Sequence, residues 1–168
     1  MRIAYPTVET VRSLFDYCPL TGCLTWKAKL TNGRSFAGRV AGYSSGKGEK
    51  DYRRVMIAER AFMLHRICWI HYYGVEPKQD IDHIDCDKTH NAIFNLREVS
   101  KTVNSQNQRK AKSNNQLGVL GVSRNRSKFK AVICVNKATM YLGTFNTVEE
   151  ASSAYLDAKR AYHDGCTI

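Results

Sequence analysis

The sequence contains no CxxC pair. Its six cysteines stand at 18, 23, 68, 86, 134 and 166, a spacing that fits neither a zinc ribbon nor the disulfide framework of a small secreted scaffold. The chain opens MRIAYPTVET, without a charged and then apolar leader. Export is therefore not expected, and reduced thiols in a cytoplasm are. No apolar run approaches the length of a membrane-spanning helix, and no strongly basic amphipathic segment offers a face to a membrane surface. Acidic residues are missing from one long tract: between Val99 and Val148 there are nine Lys or Arg and no Asp or Glu.

What is present is a globular composition with a basic excess. Hydrophobic residues make up 43% of the 168, enough for one domain of ordinary size or two small ones. Twenty-six Lys and Arg against 15 Asp and Glu give a formal net charge of +11. That balance points to a polyanionic partner, and with no membrane-seeking segment, to nucleic acid. The acids are concentrated: Glu76 to Glu98 holds six of them. An acidic island beside a basic tract suits a metal-dependent site delivered to a phosphate backbone.

The centre of that island is Asp80-Ile81-Asp82-His83-Ile84-Asp85-Cys86-Asp87, with four aspartates in eight residues. Such crowding is costly unless a cation or a hydrogen-bond network absorbs it, and a hard divalent metal is the simplest absorber. Ile81 to Asp85 reads as a strand entering a loop, and Asn95-Leu96-Arg97-Glu98-Val99 as the returning strand. Ser100 then caps a helix from Lys101 to about Arg109 that carries Asn104. Asn95 follows Asp82 by thirteen positions and Asn104 follows Asn95 by nine. This order of Asp-His, Asn and Asn resembles the HNH endonuclease family, whose active site is a ββα-metal fold.

The resemblance implies roles. His83 would be the general base, and Asp82 and Asn104 would hold one Mg²⁺ or Mn²⁺. Asn95 would bridge the loop so that the His83 ring is held in place; as a residue type it also suits an ordinary turn before a strand. The motif's last position is Asn104 instead of His, as in homing-type members, which leaves one fewer nitrogen ligand and weakens a case for zinc. Asp85, Asp87 and Asn91 would order the loop, with Asp85 a reserve ligand. Arg97 either anchors the hairpin to its acids or touches a phosphate.

Upstream, Thr7 is placed to cap a helix through about Tyr17, and the Pro19 to Gly22 turn leads into a strand from Cys23 to Lys27. This segment, FDYCPLTGCLTWK, resembles the opening of phage-type HNH proteins and reads as a structural lead-in. Leu30 to Glu49 reads as loops and short strands, Tyr52 to Ala58 as a strand, and Ala61 to Tyr73 as a helix closed by Gly74. Within it His65, beside Trp69 and His71, reads as a packing residue more than as a catalytic one, and Arg66 is a candidate phosphate contact.

Asn107 to Gln116 is nearly free of apolar residues and reads as a basic linker carrying Arg109, Lys110 and Lys112. Beyond it GVLGVSRNR, KFKAVICVN and TMYLGTF alternate as three strands. Thr147 opens a helix to about His163 with a capping box to Glu150. Phe129, Ala131, Ile133 and Val135 would face the helix, and Lys128, Lys130, Val132 and Cys134 would face outward. Gly121-Val122, Phe129, Ala131, Tyr141 to Phe145 and Glu149 to Tyr155 resemble the APETALA-type (ethylene-response) DNA-binding domain. That resemblance implies that the outward face meets the major groove. Val132 and Cys134 stand where polar readers are expected, and Tyr141 where a Trp is usual. Arg124, Arg126, Lys128, Lys130 and Lys137 therefore serve as phosphate contacts more than as base readers.

The expectation is an α+β chain: an HNH domain over 1–108, a basic linker over 109–117 and a sheet-and-helix domain over 118–168. Its function would be that of a metal-dependent endonuclease on double-stranded DNA, of a phage-borne, homing and nicking type. A non-catalytic DNA-binding regulator with a structural HNH half is the alternative, and an RNA-directed nuclease a third.

Overall fold

The computed structural model describes residues 4–27, 36–44 and 51–168. It is an α+β structure of short strands and helices in several small antiparallel sheets. The chain divides into two compact units, Met1–Ser100 and Lys101–Ile168.

In the first unit, α1 (Val8–Leu14) is capped by the Thr7 hydroxyl, which accepts from the Thr10 N–H. It stops at Leu14 rather than continuing to Tyr17, because Phe15–Cys18 forms β1 and pairs with β2 (Cys23–Trp26). The Phe15 and Trp26 rings face each other across this hairpin with centroids 4.4 Å apart, a cross-strand aromatic pair that outweighs helical spacing.

A second sheet joins β3 (Tyr43–Ser44), β4 (Arg53–Ile57) and β5 (Arg60–Met63). The part of Leu30 to Glu49 outside 36–44 lies beyond the described residues. The helix expected from Ala61 begins only at Leu64, where α2 (Leu64–Tyr73) follows β5. Ala58 and Glu59, both at positive φ (46° and 63°), close a tight hairpin that draws Ala61 to Met63 into the sheet. As expected, α2 ends at Gly74, in the left-handed region with its N–H on the Ile70 carbonyl. Ile67, Cys68 and Ile70 of α2 pack against Val11, Phe15, Leu24, Val55 and Ile81 in the core of this unit.

β6 (Asp80–His83) and β7 (Leu96–Val99) form an antiparallel hairpin in which Asp82 lies opposite Arg97 and His83 opposite Leu96. A single 3₁₀ turn, Ile93–Asn95, leads into β7.

The second unit opens with α3 (Lys101–Gln106), three residues shorter than the expected helix. The chain beyond it is held by the C-terminal residues instead: the Gly165 N–H donates to Gln106 Oε1 (3.1 Å) and the Thr167 hydroxyl to Asn107 Oδ1 (2.6 Å). Lys159, buried on α4 (Val148–Tyr162), donates to the Gln108 carbonyl. Strands β8 (Val122–Asn125), β9 (Lys128–Val135) and β10 (Ala138–Phe145) form the expected three-stranded antiparallel sheet, in the order β10-β9-β8. The Thr147–Glu150 capping box is present with both of its bonds. Ala131 and Ile133 are buried on the inner side with Ala151 and Tyr155, while Lys128, Lys130 and Cys134 are exposed.

All six cysteines are free thiols. Among the described residues no helix is long and apolar enough to cross a membrane.

Candidate active site

The acidic loop between β6 and β7 is ordered by its own side chains. Asp85 Oδ1 accepts from the Asp87 N–H (2.8 Å) and from Asn95 Nδ2 (2.9 Å), and Asp85 Oδ2 from His90 Nδ1 (2.6 Å). Asp87 Oδ1 accepts the Thr89 N–H and hydroxyl, at 2.9 and 2.7 Å. Burial pushes the Asp85 carboxyl up, but its hydrogen bonds outweigh this and hold it below the usual carboxylate range. The bonds from Thr89 likewise hold Asp87 low. Asp82 is buried, and its Oδ2 accepts Arg97 Nε (3.0 Å) and Nη2 (2.8 Å) across the hairpin. Hydrogen bonds and one guanidinium thus relieve the aspartate crowding, which does not by itself call for an ion.

Asn95 spans this loop. Its Oδ1 accepts the Asp85 N–H (3.0 Å), its Nδ2 donates to Asp85 Oδ1 and to the His90 carbonyl (2.8 Å), and its own carbonyl accepts the Ile84 N–H (2.9 Å). The His83 ring meets a different amide: His83 Nε2 lies 3.0 Å from Asn91 Oδ1. Asn91 Nδ2 donates to the Thr89 carbonyl (3.2 Å), which turns Oδ1 toward the ring. An amide oxygen only accepts, so His83 Nε2 carries the proton and Nδ1 keeps its lone pair. Burial pushes the His83 imidazole below its ordinary value, and the Asn91 bond and nearby aspartates only partly offset this. A buried, neutral imidazole with a fixed tautomer is suited to take a proton from water.

The N-terminal hairpin, expected as a lead-in, supports this amide from behind. The Tyr17 hydroxyl donates to the Asn91 carbonyl at 2.7 Å, and the Ile93 N–H to the Pro19 carbonyl at 2.9 Å. Gly22, at φ +72°, lies so close that a Cβ there would come 2.2 Å from Ala92 N. Only glycine permits both that approach and that backbone conformation.

Two further aromatic side chains border His83. The His65 ring meets it edge-on, with centroids 5.2 Å apart and planes at 74°, and Tyr52 lies 5.3 Å from His65 and 6.0 Å from His83. Burial, with help from the neighbouring His83 and Arg66, pushes the His65 imidazole down to about 3. It is thus a neutral packing residue, as its helical setting suggested. Neither Asn91 as the ring's partner nor Tyr52 was singled out by sequence. The only local signal was their residue type, because the geometry that selects them is tertiary.

The nominated cations of the first unit are internally engaged. Arg66 donates to the carbonyls of Gln79 (2.9 Å) and Pro77 (2.8 Å), and Arg97 is bonded to Asp82. Asn104 sits half-buried on α3, in the second unit. In that unit Arg109, Lys110, Lys112, Arg124, Arg126, Lys128, Lys130, Lys137 and Tyr141 are candidates for holding DNA. Lys110, Lys128, Lys137 and Tyr141 are exposed, and Arg109 donates to Thr167 Oγ1 at 2.9 Å. The register places Arg124 opposite Phe129, on the inner side of the sheet, with its guanidinium carbon 5.6 Å from that ring. Lys130 faces outward, its Nζ 5.9 Å from the Tyr141 centroid. A bulge after Tyr141 keeps Tyr141 and Thr144 together, their hydroxyls 2.7 Å apart.

A carboxylate and an amide offer hard oxygen donors, a set that fits Mg²⁺ or Mn²⁺ retaining several waters better than it fits zinc. Among the described residues, no group of three or more His, Cys, Asp or Glu is placed to hold an ion.

Residues 62–106 match the family model described as HNH endonuclease. That segment runs from β5 through α2, β6 and β7 to α3, and this part of the chain is an HNH endonuclease domain, a hydrolase of phosphodiester bonds. A solved structure titled for DNA binding and cleavage by the HNH homing endonuclease I-HmuI aligns over 97% of this chain and 95% of its own. The identity is 19% and the TM-score 0.44. No curated protein matches the chain.

Proposed function

From an HNH endonuclease domain at residues 62–106, we propose a metal-dependent endonuclease on double-stranded DNA, phage-borne and of the homing type, that leaves nicks. The observation that carries the catalytic half is the His83–Asn91 bond, because it leaves Nδ1 of a buried neutral imidazole as the base. His83 takes a proton from water, the hydroxide oxygen bonds to phosphorus, and the P–O3′ bond breaks. The departing 3′ oxygen is protonated from solvent, giving a 3′ hydroxyl and a 5′ phosphate. Asn95 acts as the loop brace, through its bonds to Asp85 and the His90 carbonyl. Asp82 and Asn104 would hold one Mg²⁺ or Mn²⁺, a pairing that rests on the order and spacing of the motif. When bound, the ion would offset charge on the phosphoryl and leaving oxygens.

DNA would be held chiefly from the second half, which we read as an APETALA-type module over 118–168, joined through the linker 109–117 to the nuclease half over 1–108. This is supported by the exposed Lys128, Lys130 and Lys137 and by the lack of acidic residues from Val99 to Val148. Arg109, Lys110, Lys112, Arg124, Arg126 and Tyr141 would add phosphate contacts. Arg66 and Arg97 are proposed instead as structural, since two donors of each already meet protein oxygens.

A DNA-binding regulator is the second reading, favoured by the hold of Arg97 on Asp82, which a catalytic carboxylate does not require. Purified protein with supercoiled plasmid and Mg²⁺ or Mn²⁺ should produce nicked circles, and EDTA should stop this. His83→Ala should cut the rate by roughly two orders of magnitude or more, with DNA affinity nearly unchanged. Equal behaviour of wild type and variant in every cleavage assay would establish the regulator.

A further inference from the structure

The first unit contains a cation that neither the motif nor the proposed mechanism uses. Lys88 lies on the β6–β7 loop, between Asp87 and Thr89, whose side chains fix the local backbone. Its Nζ sits 4.7 Å from the Tyr52 ring centroid, and the same ring lies 6.0 Å from that of His83. Ammonium and imidazole therefore flank one aromatic ring. Tyr52 is held in turn by packing against the buried His65, at 5.3 Å.

The ion pair that Lys88 makes is a long one: Nζ is 3.9 Å from Asp51 Oδ1, with the two side chains 44% and 39% exposed. An exposed pair at that length is weak, and Asp51 Oδ1 also accepts the Tyr52 N–H at 2.8 Å. The ammonium can leave Asp51 for a phosphate while Asp51 keeps a partner. Arg66 and Arg97 have no such latitude, since each donates twice to protein oxygens at 3.0 Å or less. Phosphodiester hydrolysis in an acidic loop needs a positive group to receive the phosphoryl oxygens.

We infer that Lys88, poised over the Tyr52 ring, is a direct contact for the phosphodiester on which His83 acts. The inference rests on the nucleic-acid reading above but can fail separately from it. The cation–π contact holds the ammonium at the site without saturating its three donors.

The test is equilibrium binding of a labelled duplex oligonucleotide to the full chain in EDTA, across a salt series. Lys88→Gln should lower the slope of log K against log salt by roughly 0.9, the amount for one duplex phosphate. Lys88→Arg should restore it. Lys27→Gln removes an equal charge from a lysine paired with Asp16 and should leave the slope unchanged. In single-turnover cleavage with Mg²⁺, Lys88→Gln should also be slower by about tenfold or more, one part of what charge stabilisation contributes.

A wild-type slope in Lys88→Gln, or an equal loss in Lys27→Gln, overturns the inference; Lys88→Met replaces Lys88→Gln if the latter does not fold. Wild-type protein that binds duplex without cutting it sinks the endonuclease reading, yet the slopes still decide the role of Lys88. Wild-type protein that does not bind duplex overturns both.

Discussion

Asn91 Oδ1 accepts the His83 Nε2–H at 3.0 Å while Asn91 Nδ2 is held by the Thr89 carbonyl, so one amide sets the protonation of the imidazole beside it. Asn91→Leu keeps the volume and removes the acceptor, freeing the ring to take either tautomer. Single-turnover cleavage should fall by about tenfold or more, a share of the roughly 10²–10⁴ that general-base catalysis supplies. Asn91→Asp should behave differently. A carboxylate favours the protonated ring, so activity should be low at neutral pH and recover as pH rises. In wild type, burial holds His83 below its ordinary value, and a base works only above its own value. The acid limb of the rate profile should therefore lie below about pH 6.5. A wild-type limb above pH 7, or an Asn91→Asp limb that does not move up, would count against Asn91 as the residue that sets the ring.

His65 carries a pH signature of its own. Its imidazole is neutral in the folded chain, lowered to about 3 by burial first and then by His83 and Arg66, against about 6.5 when unfolded. Between those values the unfolded chain binds the extra proton. The stability contribution is thus complete above about pH 6.5 and is lost as pH falls toward 3. His65→Phe keeps an aromatic edge against His83 and removes the titration. Urea unfolding at pH 7 and pH 5 should show the variant gaining on wild type at the lower pH by on the order of 2 kcal/mol. No difference between the two pH values would mean that His65 is hydrated and not buried as a neutral ring.

The Arg97–Asp82 pair can be measured as a structural contact. The Asp82 side chain is 9% exposed and that of Arg97 25%, so removing the guanidinium leaves a largely buried carboxylate without its main donor. Arg97→Met should cost about 2–3 kcal/mol, discounted from the figure for fully buried pairs because the arginine still meets water. Arg97→Lys should recover part of it, since an ammonium lacks the guanidinium's fixed fork of donors. The readout is the urea midpoint at unchanged m. A destabilisation under about half a kcal/mol, the size of an ordinary surface change, would place Arg97 with the phosphate-binding cations again.

How far each of these was legible in the sequence depended on how local its cause is. The β6–β7 hairpin, the Gly74 cap and the Thr147–Glu150 box are specified by residues a few positions apart, and each stands where expected. The inward and outward faces of β9 follow from alternation alone. The helix boundaries at Leu14 and Leu64 were harder, because a short apolar run fits helix or strand equally. Pairing of Phe15 with Trp26 and of Phe62 with Val55 decided for strand beside each helix. In the site, Asp82, His83 and Asn95 could be nominated from their order. The partner of the His83 ring could not, because Asn91 is aimed by the Thr89 carbonyl and held by Tyr17 and the close approach of Gly22 from a distant hairpin.

The outward face of the second sheet allows affinity to be separated from chemistry. Lys128 and Lys130 stand on outward positions of β9, Arg126 and Lys137 at the turns on either side of it, and Arg124 on β8. Arg126 and Lys137 adopt positive φ, 54° and 67°, so their replacements should be Asn, which tolerates that conformation. The remaining three can become Gln. The full chain carrying all five changes keeps every side chain assigned to chemistry, as well as the Ala131, Ile133 and Tyr155 core of its own unit. Duplex binding should weaken and its salt dependence flatten, by roughly 0.9 in slope for each phosphate that is no longer neutralised. The single-turnover rate at saturating protein and low salt should stay near wild type, because the variant keeps Asn91, which bonds the His83 ring, and Tyr52, which lies beside it. Arg124 should contribute least, since the register puts it on the inner side with its guanidinium over Phe129. Restoring Arg124 alone should therefore leave the slope flat, whereas restoring Lys128 and Lys130 should return roughly 1.8 of slope, the amount for two phosphates. A quintuple variant that binds with an undiminished slope would mean that this sheet does not hold the DNA, and the anchor would then have to be sought among Arg109, Lys110 and Lys112.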